Sequence, residues 1–166
     1  DNQAYFITAR CRGRFPAFAA DAAKAVFWDR FEHWVGPSSF TPWIVSLMDN
    51  HYHMIGYLKH GADLPPMMQR LHGSVAKLVN DQLAERIRPF WTERGHQNYF
   101  DGCLRDERQA GLACRYVLRQ CRRDGICDEP ADYPHTRVFI DADRAIRRCT
   151  QLNAFLRGVP YRRYMR

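Results

Sequence analysis

"FTPWIVSLMDNHYHMIGYL", residues 40 to 58, decides the fold. Two runs rich in β-branched and aromatic residues flank Asp49-Asn50, a turn pair suited to a β-hairpin. The expectation is a strand over 40–48 and a second, central strand over 51–58. Side chains alternate along a strand, so His51 and His53 share one face and Tyr52 points to the other. Imidazoles set among Met54, Ile55, Tyr57 and Leu58 cost free energy unless their nitrogens find partners. The pair therefore holds a metal, joins a hydrogen-bond network, or is incidental. H-x-H alone does not choose.

Outward from the hairpin, "AYFITARCR" (4–12) reads as a first strand, with Tyr5, Ile7 and Ala9 alternating against Phe6 and Thr8. Residues 21–35 have helical spacing (Val26, Phe27, Arg30, Phe31, Trp34) behind Asp21 as N-cap, and Gly36-Pro37-Ser38-Ser39 ends them. Residues 64–87 predict a helix whose stripe of Met67, Met68, Leu71, Val75, Leu78, Val79 and Leu83 is core. "NYFDGCL" (98–104) supplies another strand, and 105–123 a helix capped by Asp106 and ended at Gly125. A helical stretch over 141–157 and "GVPYRRYMR" follow. The order β-α-β-β-α-β-α predicts an α+β fold, an antiparallel sheet with packed helices.

The chain has 166 residues, 46% hydrophobic and 13% aromatic, which predicts a globular domain rather than disorder. No stretch approaches the roughly 20 apolar residues of a membrane span, and no signal peptide is visible. Asp1 rather than methionine stands first, consistent with a trimmed native N-terminus. Cys11, Cys103, Cys114, Cys121, Cys127 and Cys149 are spread singly, without C-x-x-C pairs, and read as reduced thiols of a cytoplasmic protein.

Charge is uneven. Residues 1–104 carry 11 Lys and Arg against 10 acids, whereas 105–166 carry 14 Arg against 8 acids. A basic second half points to a polyanion, most often nucleic acid, although the arginine bias is also what a GC-rich genome produces.

The predicted helix over 105–123 adds chemistry to the histidines. Tyr116 and Gln120 are four apart, hence one turn apart on one face. A glutamine carbonyl oxygen suits hard divalent cations such as magnesium or manganese. Two imidazoles and one amide oxygen make an open three-ligand site with positions left for a phosphate oxygen and water. A tyrosine one turn away is then placed as a nucleophile. Phenols titrate near 10, so such a nucleophile needs electrostatic help at neutral pH.

The combination of "NHYHMIGYL" with "RYVLRQ" resembles HUH-type single-strand DNA transposases with one catalytic tyrosine, and among them the REP-associated tyrosine transposases. The likeness runs over roughly residues 5–137. "YFITARCRGR" is similar to the family's first strand, "MDNHYHMI" to its M-P-N-H-x-H block, and "MMQRLHGSVAKLVN" to its M-Q-x-L-K-G helix. "FWTERGHQNYFD" and "GICDEPADYPHTRV" resemble the aromatic segment and the G-L-x-x-x-P-x-D-Y-P-x-S motif that flank the tyrosine helix.

The resemblance implies a ferredoxin-like (RRM-like) HUH endonuclease domain over 1–137, with 138–166 as a basic helical C-terminal extension. His51 and His53 match its metal-binding pair, and Tyr116 its nucleophile, which leaves a 5′-phosphotyrosine and a free 3′-hydroxyl. Gln120 matches the third ligand of the insertion-sequence branch. Many REP-associated members have Asn-Pro where this chain has Gln120-Cys121, which leaves subfamily and host repeat open. The implied activity is magnesium- or manganese-dependent nicking and strand transfer on single-stranded or hairpin DNA, by a monomer or homodimer. A DNA-hairpin-binding protein without strand transfer is the alternative, and a hydrolytic nuclease would not need Tyr116.

Arg115, Arg119, Arg122 and Arg123 either grip DNA phosphates or form a solvated helix face. Phe90 and Trp91 either stack on an unpaired base or pack in the core. Tyr5, Tyr52, Tyr57, Tyr99 and Tyr133 read as core or strand residues. His33, His60, His72, His96 and His135 lack partners at ligand spacing and read as surface or structural.

Overall fold

The computed structural model describes residues 1–93 and 97–158. His96 and the tail with Arg162, Arg163 and Arg166 lie outside the described residues. The hairpin closes where the turn chemistry places it: the Met48 N–H donates to the His51 carbonyl at 2.8 Å, joining β2 (Phe40–Leu47) to β3 (His51–Leu58). Neighbouring segments pin this turn. The Asp49 and Asn50 carbonyls accept the N–H groups of Phe18 and Cys11, each at 2.8 Å. The buried Lys24 ammonium pairs with the Asp49 carboxylate at 2.8 Å.

β3 lies at the centre of a five-stranded sheet, between β1 (Gln3–Arg10) and β2. β4 (Phe100–Leu104) pairs with β1 and β5 (Thr136–Val138) with β2, every pairing antiparallel. Period-two alternation then sorts the side chains. Ile7, Ala9, Tyr52, Met54 and Leu58 face α1 (Asp21–Val35) and α2 (Leu64–Asn80), forming the larger core. Ala4, Ile44 and Ile55 face the other way. There they meet Ala110, Cys114 and Val117 of α3 (Glu107–Leu118) and Ile146 and Cys149 of α5 (Ala142–Leu156). The architecture is the expected α+β fold, with helices on both faces of an antiparallel sheet.

Several element boundaries differ from the sequence expectation. α2 stops at Asn80 rather than 87, because the Asn80 side chain turns back onto the chain. Its amide donates to the Ile87 carbonyl at 3.1 Å and its oxygen accepts the Ile87 N–H at 2.7 Å, local bonds that compete with further helix. Asp21 opens α1 from inside its first turn, and the N-cap is Ala20.

The helix expected over 105–123 is broken at Arg119 (φ −100°, ψ 5°), giving α3 and a single turn, α4 (Gln120–Arg123). Asp106 is the expected cap, accepting the Gln109 N–H at 2.7 Å, and Gly125 follows the end in the left-handed region (φ 69°). β5 was not anticipated, being only three residues long at the sheet edge. The division expected at 137/138 falls inside β5, and α5 lies against α3, β1 and β2. None of the six cysteines is in a disulfide. Among the described residues no helix is long and apolar enough to cross a membrane.

Candidate metal and tyrosine site

Because β3 is central and alternates, His51 and His53 project together onto the α3 face, 3% and 5% exposed, with ring centroids 4.9 Å apart. The Asn50 side-chain oxygen, fixed by the turn, accepts from His51 Nδ1 at 2.7 Å. That bond assigns the proton to Nδ1 and leaves Nε2 with its lone pair toward the site. His53 stacks on Phe6 of β1 (centroids 5.5 Å, planes 22° apart). Neither of its ring nitrogens has a partner.

Tyr116 stands near the end of α3, half-buried, its ring edge-on to His53 at 5.2 Å and to Phe6 at 6.1 Å. The Arg123 guanidinium lies over the phenol ring, 4.7 Å from its centroid. The break at Arg119 does not carry Gln120 away from the site. Its amide is 5% exposed and donates to His51 Nε2 at 3.3 Å and to Asp124 Oδ1 at 2.9 Å. Gln120 Oε1 is buried without a partner. Among the described residues no three His, Cys, Asp or Glu side chains cluster to hold a metal.

Buried nitrogens and oxygens normally find partners. His53 Nδ1, His53 Nε2 and Gln120 Oε1 do not, which leaves one imidazole lone pair and one amide oxygen unused at this site. Burial, together with the positive charges of Arg10 and Arg123 and its neighbour His51, pushes the His53 imidazole down to about 3. Burial also lowers His51, against the pull of Asp124. Both rings are therefore neutral near pH 7, the form that binds metals.

Tyr116 separates two hollows. A cavity of about 820 Å³ runs along β1 and β4, with Phe6, Arg10, Arg14, His53 and Phe100 in its walls. On the other flank an open groove of about 930 Å³ is lined by Arg115, Arg119, Arg122 and Arg123, all exposed. The sequence reading brought His51, His53, Tyr116, Gln120 and the four arginines to this site, and the structure places all of them together. It missed Asp124, whose signal was its spacing four residues after Gln120. It also missed Arg10, which is cross-strand from His51. Phe90 and Trp91 are buried in the larger core.

No protein-family model and no curated protein matches the chain. Among solved structures, a REP-associated tyrosine transposase bound to a REP hairpin is similar with a TM-score of 0.66 at 14% identity, covering 96% of this chain and 83% of that one. A Deinococcus radiodurans R1 protein described as a candidate transposase matches 70% of this chain and 89% of its own, at 13% identity and a TM-score of 0.47. The first likeness shows the fold: this chain folds as the REP-associated tyrosine transposase does.

Proposed function

We propose that this chain is a transposase-type enzyme that nicks and transfers single-stranded DNA through a 5′-phosphotyrosine on Tyr116, with a divalent metal. The observation that carries the reading is the convergence of a half-buried tyrosine with buried metal donors that have no protein partner. His51, His53 and Gln120 would hold magnesium or manganese. When bound, such an ion polarises a phosphate and stabilises charge on its non-bridging oxygens.

The chain's own residues do the rest. The Tyr116 oxygen forms a bond to phosphorus as the P–O3′ bond breaks. The phenolic proton passes to solvent, and the leaving 3′-oxygen takes one up. The phosphodiester energy is kept in the tyrosyl ester, so a 3′-hydroxyl can reverse the step without ATP. Arg115, Arg119, Arg122 and Arg123 hold the backbone on one flank through guanidinium–phosphate contacts. The cavity along β1 receives the strand on the other. The hairpin carried by the similar transposase makes a hairpin flanked by single strand the substrate proposed here. Duplex DNA alone would keep its bases stacked away from these walls.

The test is a 3′-labelled strand bearing a hairpin, incubated with the protein and manganese and run on a denaturing gel. Label that migrates with protein supports the tyrosine mechanism. Label that shifts on a native gel but is never covalently held identifies a hairpin-binding protein instead. Cut label without adduct identifies a nuclease using water.

A further inference from the structure

Asp124 lies outside the ligand set just described, and it makes the most specific contacts at its edge. It follows α4 directly, with its side chain 31% exposed. One carboxylate oxygen accepts from the Gln120 amide at 2.9 Å, and the other lies 3.5 Å from His51 Nε2. It also lines a hollow of about 390 Å³ with His51, Arg10 and Arg14.

The chemistry of this contact is one-sided. An ionised carboxylate only accepts hydrogen bonds, so the end of the Gln120 amide that faces it has to be the NH2. His51 Nε2 imposes the same choice, because its proton is on Nδ1, toward Asn50. In the metal-free site two acceptors thus hold both amide N–H groups, and Oε1 is left over, buried and without a partner. A cation on His51 Nε2 would take the lone pair that accepts from the amide, leaving Asp124 as the acceptor that keeps the NH2 turned away. Without Asp124, a flipped amide could donate to other groups and turn its nitrogen, which cannot bind a cation, toward the site. The carboxylate also sets a negative charge beside a cluster of neutral ligands. That charge favours a dication over an empty site.

We propose that Asp124 is the positioning residue of the metal site, acting through the Gln120 amide to present its oxygen to the cation. This rests on the metal reading above and deepens it. Residues that orient a ligand typically cost about 10–100-fold in metal affinity when removed.

The experiment is titration of the DNA-free, metal-free protein with manganese, read by the loss of the free-ion paramagnetic resonance signal. The parent should bind one ion, Asp124→Asn should bind at least about tenfold more weakly, and Asp124→Glu should recover part of the loss. In a Gln120→Ala background the same Asp124→Asn change should cost less than about threefold, since the group it acts through is gone. Melting of the metal-free variants controls for folding, and a side chain this exposed should move it little. Equal affinity of folded Asp124→Asn and parent overturns the proposal while leaving the metal reading intact. A full, additive loss in the Gln120→Ala background also overturns it, because Asp124 would then act on the ion without the amide. A parent that takes up no manganese sinks the metal reading and this inference together.

Discussion

The two faces of the sheet each bury histidine on β3 or against it, and they treat it in opposite ways. On the α1/α2 face, His72 is 1% exposed, stacked on Trp91 at 4.3 Å, with both nitrogens engaged. The Tyr52 hydroxyl donates to Nε2 at 2.7 Å, and Nδ1 donates to the Asn98 side-chain oxygen at 2.7 Å. On the α3 face, His53 is equally sheltered and engages neither nitrogen. Burial lowers both, His72 to about 4 and His53 to about 3, so burial does not separate them. Hydrogen-bond accounting does. The His72 imidazole, with both nitrogens satisfied, is part of the core, whereas His53 keeps an unused lone pair, which is what the proposed metal role requires.

The largest expected effect falls on the α3 face. Tyr116→Phe should abolish the covalent adduct while hairpin binding on a native gel stays within about twofold, because only the attacking oxygen is lost. An adduct of normal yield in that variant would move the nucleophile elsewhere, with Tyr52 and Tyr57 the next tyrosines on β3. Tyr52 is fully buried against His72 and Phe27, so a reassignment would require the core to open.

The paired substitutions His53→Ala and His72→Ala break or sharpen the contrast directly. His53→Ala should remove manganese-stimulated cleavage by more than the roughly 10–100-fold typical of an outer-shell loss. It should lower the melting temperature less than His72→Ala does, since it opens a cavity beside Phe6 but breaks no hydrogen bond. His72→Ala strands the Tyr52 hydroxyl and the Asn98 amide and opens a cavity beside Trp91, which should cost about 3 kcal/mol or more of stability. Its remaining folded molecules should still form the adduct. Calorimetry together with the denaturing gel reads both. If His53→Ala melts early and His72→Ala does not, the assignment of structural and functional face is reversed.

Acidification gives a smaller, graded effect. A histidine lowered from about 6.5 in the unfolded chain to about 4 in the folded one binds fewer protons when folded throughout that window. Stability is therefore complete above about pH 6.5 and falls as pH drops toward 4, by about 3 kcal/mol from His72 at most. The groups facing that ring are Tyr52 and Tyr99, both neutral at these pH values, with Asn98 and Trp91. His51 and His53 are lowered by burial as well and add to the same fall. The informative quantity is thus the difference in denaturant midpoint between parent and His72→Gln, which should shrink from pH 7 to pH 4.5. A difference that stays constant would show that His72 carries no part of the acid sensitivity.

The sequence made the site legible wherever the signal was local. The hairpin, the shared face of His51 and His53, the Asp106 cap and the one-turn spacing of Tyr116 and Gln120 each follow from periods and turn chemistry. What it hid was set by tertiary competition. Nothing in "LVNDQLAERI" shows that the Asn80 amide will clasp Ile87 and end α2. β5 exists because Tyr133 donates to the Leu47 carbonyl at 2.7 Å and Trp28 to His135 at 3.1 Å, bonds spanning 86 and 107 residues. Asp124 was missed because a carboxylate earns meaning only from the amide and imidazole the fold brings to it.

The smallest effect expected concerns which basic residues meet DNA. Charge counting alone assigns the phosphate contacts to the whole second half of the chain, including 141–166. The structure divides that half. Ile146 and Cys149 of α5 are buried against α3, so deleting 141–166 should lower the melting temperature as well as weaken binding. Its effect on DNA then says little about charge. Arg115, Arg119, Arg122 and Arg123 instead line the open groove beside Tyr116, and each can be changed without touching the core. Each phosphate contact on single-stranded DNA contributes about −0.7 to the slope of log K against log salt. Single Arg→Gln changes should flatten the slope by about that amount and leave melting unchanged. Arg123 should show an added defect in adduct rate because it also lies on the Tyr116 ring. Four unaltered slopes would make this groove a solvated helix face. The strand would then have to run along the other wall, where Arg10 and Arg14 stand beside the histidines.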